Sequence, residues 1–164
     1  MKDEFWERYL EYERSKARRI TRSIPPLSGV LSHGETREEA DCYLQNIISG
    51  KVSASICTLD TWNDSGRDIP AARSLFMMMD GSGIPRCILR TASTHIVPYR
   101  KLPEELALRE GQDNTLAEWQ ARWRPILFEE SRRRGKTFSL DLLMMVHVFT
   151  VAYYEKDEDF ISPA

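Results

Sequence analysis

The chain has 164 residues, 41% hydrophobic and 29% charged, the composition of one ordinary globular domain and short for two. A formal net charge of −2 gives no bulk attraction to nucleic acid, so any such role needs a local basic patch. The apolar runs are too short to span a bilayer, the start MKDEFWERYLEYERSKARR lacks the apolar core of a secretion signal, and Cys42, Cys57 and Cys87 show no CxxC spacing. The expected setting is therefore the cytoplasm, with reduced thiols and no membrane partner.

Phe5, Trp6, Tyr9 and Leu10 recur at helical spacing and predict an amphipathic helix over 3–22, stopped by Pro25 and Pro26. A loop to Gly34 follows. Thr36 and Glu39 have capping-box spacing, and Ala40, Tyr43, Leu44, Ile47 and Ile48 form one apolar stripe ended by Gly50. The segment VSASICTL then predicts a strand over 52–59, with Asn63-Asp64-Ser65-Gly66 as a loop. Ser74–Met79 and Arg86–Val97 flank Asp80-Gly81-Ser82-Gly83 and predict a hairpin. Pro103 opens a short helix over 103–110. Asp113 or Asn114 caps a longer one over 115–134, which Pro125 should kink or restart. Leu142–Tyr154 is a last apolar strand. The predicted organisation is an N-terminal helix (1–26) packed on a domain over 27–156, followed by a loose acidic tail over 157–164. With no βαβ alternation, the class is α+β: a mixed sheet or small β-barrel with flanking helices.

Several residue groups carry chemistry. Lys51, Ser53, Ser55 and Cys57 share strand parity and would line one face. A serine beside a lysine can be a nucleophile when burial or another cation holds the lysine neutral. The competing reading is a small-residue strand packed under a helix, with an exposed lysine after the cap. Glu110 can move a proton or orient a ligand amine; a solvated glutamate near a turn is the alternative. Arg14, Arg18, Arg19 and Arg22 form one candidate phosphate-binding patch, and Arg122, Arg124, Arg132, Arg133, Arg134 and Lys136 another. Trp119 and Trp123, four residues apart on one helix, read as core rather than base-stacking platforms. His33, His95 and His147 are too scattered for a metal motif, and no nucleotide-binding fingerprint is complete, so no metal or cofactor is expected.

Three segments in order resemble the ASCH (activating-signal-cointegrator homology) domain, a PUA-like β-barrel family, in its longer bacterial form over roughly 34–154. They are Gly34-Glu35-Thr36 with Ala40-Asp41, Gly50 and the Val52-Ser53-Ala54-Ser55 strand; Asp80-Gly81-Ser82-Gly83-Ile84-Pro85-Arg86-Cys87; and Glu110-Gly111-x-Asp113-x-x-Leu116-x-x-Trp119. The resemblance implies a PUA-like small mixed barrel that binds RNA or a nucleoside-like molecule in a cleft beside it. Metal-independent RNA cleavage is one implied reaction. Another is the amide hydrolysis of acylated nucleosides that some relatives perform with a lysine, a threonine and a glutamate.

Carried over by position, that trio is Lys51, Ser55 and Glu110, with His147 standing where the family often has a glutamate. Ser53, Cys57, Trp62 and Arg73 would contact ligand, and Arg18, Arg19, Arg132 and Arg133 an RNA backbone. The chain departs from the pattern at Lys51, which falls one residue early; at Arg73-Ser74, where a Gly-Asp is usual; and at His147. These departures leave a non-catalytic recognition module, or recruitment to a small-molecule pathway, as alternatives. The oligomeric state stays open, a weak homodimer included. The amidohydrolase reading requires Lys51 and Ser55 to enter one cavity with Glu110.

Overall fold

A computed structural model describes residues 1–16 and 23–157. Its elements are α1 (Lys2–Lys16), β1 (Leu27–Leu31), α2 (Arg37–Ile48), β2 (Ala54–Thr58), α3 (Leu59–Asp64), β3 (Leu75–Met79), β4 (Pro85–Pro98), a 3-10 turn (Tyr99–Lys101), α4 (Glu104–Leu108), α5 (Leu116–Arg133) and β5 (Leu143–Tyr154). The strands form one mixed sheet in the order β1-β3-β4-β5-β2. The expected α+β class is correct in this coarser form. A closed barrel is not: among the described residues β1 and β2 are the sheet's two edges.

The chain divides into two compact units, interleaved in sequence. The first comprises Met1–Gly50, Ala71–Ala92 and Phe149–Ala164; the second comprises Lys51–Pro70 and Ser93–Val148.

In the first unit, α2 begins where the sequence places its cap. Thr36 accepts a hydrogen bond from the Glu39 N–H, and the Glu39 carboxylate accepts one from the Thr36 N–H, so the donors at this helix start are satisfied reciprocally. All five residues of β3 are buried, the pattern of a strand covered on both faces. The strand missed in the sequence, β1, pairs with β3 in parallel. Phe5 and Tyr9 of α1 are buried against Leu75, Met77 and Ile88. Tyr153 adds ring contacts to Phe5, Tyr9 and Tyr12 at 5.5, 5.9 and 5.1 Å.

The hairpin turn is organised by Asp80. Its carboxylate accepts hydrogen bonds from the N–H groups of Ser82 (2.8 Å) and Ile84 (2.9 Å) and from the Arg86 guanidinium (2.7 Å). Asp41 accepts from the Gly81 N–H at 2.8 Å and fastens the turn to α2. Burial by itself would raise the Asp80 carboxyl, but its donors together hold it below the ordinary aspartate value.

In the second unit, Trp119, Trp123 and Leu127 of α5 pack with Ala54, Ile56, Met144, Val146 and Val148. Both tryptophans are thus core. Tyr99 joins them and donates its hydroxyl to the Gln120 carbonyl at 2.6 Å. Pro125 neither restarts nor ends α5. It lies on the exposed face, where the carbonyl it leaves without a helical donor can reach water. The cap of α5 is Thr115, instead of the expected Asp113 or Asn114. The short helix α3, also unforeseen, is capped by Thr58.

Replacing Asp80 by alanine should lower stability by roughly 3 kcal/mol, because the Arg86 guanidinium and two turn amides lose their shared acceptor. Asp80→Asn should cost less, since its amide oxygen can still accept. Equal denaturation midpoints for Asp80→Ala and wild type would remove this turn as an anchor.

Candidate functional site

The site is built around the start of β2. Gly50, at φ +82°, ends α2 in a left-handed conformation that suits glycine. The next residues are laced to the end of α4. The Arg109 carbonyl accepts from both Ser53 N–H (2.9 Å) and Ala54 N–H (3.1 Å). Gly111, at φ +78°, lies so close to this segment that a Cβ there would sit 2.5 Å from the Lys51 carbonyl oxygen. This lacing sets the phase of the strand. Ala54, Ile56 and Thr58 are buried, and Ser55 and Cys57 alternate with them as half-buried positions on the other face.

β2 runs antiparallel to β5, with Ser55 opposite His147 and Cys57 opposite Met145. Opposed residues share a sheet face, so Ser55 and His147 are neighbours there. His147 is buried, and desolvation pushes its imidazole down to about 4, leaving it neutral at pH 7. Ser53 is half-buried and receives a hydrogen bond from Arg109 Nη1 at 3.4 Å. Burial raises the Cys57 thiol to about 11, with the charge of Glu130 adding to the rise and the Trp62 backbone N–H, which hydrogen-bonds the sulfur, opposing it. A thiol held that high is no nucleophile at neutral pH. Trp62 is half-buried, and its indole Nε1 is buried with no hydrogen-bond partner among the described residues.

The site residues expected from the sequence therefore part into groups. Ser55 and Cys57 share a face of β2 with His147 opposite Ser55, Ser53 just precedes the strand, and Trp62 of α3 meets Cys57 through its backbone N–H. Lys51 precedes the strand and is exposed, outside the buried setting a neutral lysine base requires. Glu110 is buried, but in a structural network: its Oε1 accepts from Arg122 Nη2 and from Trp123 Nε1, the latter at 2.9 Å. Arg122 also holds Asp113: its Nη2 and Nε donate to Oδ2 at 2.8 and 3.0 Å, and Nε reaches Oδ1 at 3.3 Å. Burial raises the Glu110 carboxyl above the ordinary glutamate value despite the hydrogen bonds from Trp123 and Arg122. Arg73 belongs to the other unit and lines a cleft there.

The expected RNA-backbone residues divide as well. Arg18 and Arg19 lie outside the described residues. Arg132 is paired with Glu129 at 2.6 Å, and only Arg133 of that pair of expected contacts is exposed without a salt bridge among the described residues. Nearby, Arg134 bonds Asp64 (2.7 Å) and Glu130 (3.3 Å), while Glu130 accepts from Thr58 (2.5 Å) and Thr61 (2.8 Å). Three functional or framing residues escaped the sequence reading: Arg109, Arg122 in its role as a carboxylate clamp, and Asp113 as its partner. The last two had a signal, a pair of acids just before a helix that carries an arginine two turns in.

A mixed sheet with flanking helices, and a small-residue strand laced to a Glu-Gly turn, define an α+β protein. The sequence model of the ASCH domain matches residues 30–153, and the chain belongs to that family. Solved structures agree on the fold. The ASCH domain from Lactobacillus crispatus JV V101 is similar, with a TM-score of 0.72 at 23% identity over 90% of this chain and 94% of that one. Protein EF3133 from Enterococcus faecalis V583 has a TM-score of 0.70 at 24% identity over 91% and 86%. No curated protein matches the chain.

Two tests follow from this geometry. The unfolded histidine titrates near 6.5 and folded His147 near 4, so the unfolded state binds more protons between those values. The contribution of neutral, buried His147 is fully present above about pH 6.5. It falls progressively toward pH 4, by on the order of 3 kcal/mol in all. His147→Gln should flatten that part of the stability curve measured by urea denaturation; an unchanged slope would refute the buried neutral imidazole. Glu110→Ala should destabilise by roughly 3–5 kcal/mol, because it strips Arg122 and the Trp123 indole of their common acceptor. A Glu110→Ala protein as stable as wild type would free this residue for a catalytic role.

Proposed function

We propose that this ASCH-domain protein recognises a nucleoside-like ligand through the β2 strip of Ser53, Ser55, Cys57 and Trp62, with Arg109 at its edge, and that recognition rather than hydrolysis is its activity. The observation that carries this is the Trp62 indole N–H, buried without a partner among the described residues, on the short helix α3 whose Trp62 backbone N–H hydrogen-bonds the Cys57 sulfur. A desolvated donor without an acceptor is costly, and a ligand acceptor would satisfy it. An aromatic face for stacking together with hydroxyl and indole donors is the chemistry that reads a heterocyclic base. His147, neutral and opposite Ser55, can donate or accept without adding charge.

Hydrolysis by Lys51, Ser55 and Glu110 has less support, since Lys51 is exposed and Glu110 is committed to Arg122 and Trp123. RNA is the second reading, favoured by the family resemblance and by exposed Arg133. The carboxylates beside Arg132, Arg134 and Lys136 weaken the local field that a polyanion would need.

Calorimetric titration of cytidine, adenosine and a short single-stranded RNA at low and high salt tests these readings. A nucleoside should bind with little salt dependence, and Trp62→Phe, which keeps the ring but loses the N–H, should weaken it by about 5–10-fold. Binding of RNA alone, falling steeply with salt, would replace the nucleoside reading. Turnover of an acylated cytidine that disappears in Ser55→Ala would restore the hydrolase.

A further inference from the structure

A cleft of about 830 Å3 in the first unit is lined by Ser23, Pro25, Pro26 and Ser28 and by residues 71–74. Two departures from regular backbone converge on it. Arg73 is the one non-glycine residue with positive φ among the described residues, at +72°. An arginine adopts that conformation at a cost and keeps it only where the surroundings impose it. Here they do: the Arg73 N–H donates to the Thr91 carbonyl at 2.8 Å. The Ser74 hydroxyl is hydrogen-bonded to the Ala71 carbonyl at 2.6 Å and to the Thr91 hydroxyl at 2.8 Å. The pairing of β1 with β3 shifts between Leu27 and Gly29, so Ser28 is an extra residue in its strand. Such bulges re-aim side chains and gather beside binding sites.

The chemistry of the lining is one-sided. Among the described residues no carboxylate lines the cleft, and Arg73, exposed at its wall, makes no ion pair. With this cation the cleft is lined by Ser23 and Ser28, which carry hydroxyls, and by two prolines and two alanines.

We propose that this cleft binds a small molecule bearing a phosphate monoester, with Arg73 as the principal anion contact. A guanidinium fork and separate hydroxyls can address the several terminal oxygens of a phosphate, more than a carboxylate offers. The prolines and alanines supply a wall for the organic part. The volume falls within the 300–1,000 Å3 range of small-molecule sites, far beyond what a bare anion fills. The assignment does not depend on the β2 strip, which belongs to the other unit.

The test is an NMR titration of the full chain with phenyl phosphate, and with benzoate as a carboxylate of similar ring size. Phenyl phosphate should produce saturable shifts below about 10 mM, confined to the amides of Ser23, Ser28 and residues 71–74, and benzoate should bind several-fold more weakly. Arg73→Gly accepts the left-handed backbone without strain, so it should keep the fold and its thermal midpoint while losing phenyl phosphate binding at least tenfold. Arg73→Lys should retain part of it. No saturable shifts, shifts scattered over the surface, benzoate binding as tightly, or unchanged affinity in folded Arg73→Gly would each overturn the proposal.

Discussion

One backbone acceptor governs the architecture of the second unit. The carbonyl of Arg109 takes two consecutive N–H groups at the entry to β2, and Gly111 closes against the Lys51 carbonyl beside it. A strand whose start is held at that point cannot slip by one residue, and a one-residue slip would exchange its two faces. The burial of Ala54, Ile56 and Thr58, the opposition of Ser55 and His147, and the proximity of Cys57 to Trp62 all follow from this phase. The same contact explains why Gly111 tolerates no side chain, independently of any chemistry at Glu110.

The charged residues show how position in sequence can mislead about role. Arg122, Arg132, Arg134 and Lys136 cluster along one helix and the turn beyond it, and look like a phosphate-binding patch. In the structure each meets a carboxylate: Arg122 holds Glu110 and Asp113, Arg132 holds Glu129, Arg134 holds Asp64 and Glu130, and Lys136 reaches Asp60. Most of this charge serves the protein's own framework. Arg73, isolated in sequence, keeps its charge available in a cleft.

Local signals account for what the sequence made legible. The Thr36–Glu39 box, the left-handed Gly50, the Asp80–Gly83 turn and the apolar runs of β3, β4 and β5 each encode themselves within a few residues, and each is present. β1 was invisible because five residues including a glycine and an unpaired serine become a strand only by pairing with β3, far along the chain. α3 needed recognition of Thr58 as a cap inside what read as a strand end. At the site, period-two alternation placed Ser53, Ser55 and Cys57 on a common face, but it also drew in Lys51, which precedes the first paired residue of the strand. The fate of Glu110 was not readable, because its partners lie one helix away and only tertiary packing selects them.

An open sheet has two borders, and each border offers unpaired backbone to any extended chain that meets it. Both borders here are obstructed near where their strands begin. β1 is preceded by consecutive prolines, which have no N–H to offer, and it carries an extra residue that breaks its repeat. At β2 the first amides are already spent on the α4 carbonyl. A strand from another molecule could not extend the sheet across either start without undoing these features. The same devices at the two strand starts thus also guard the sheet against edge-to-edge aggregation.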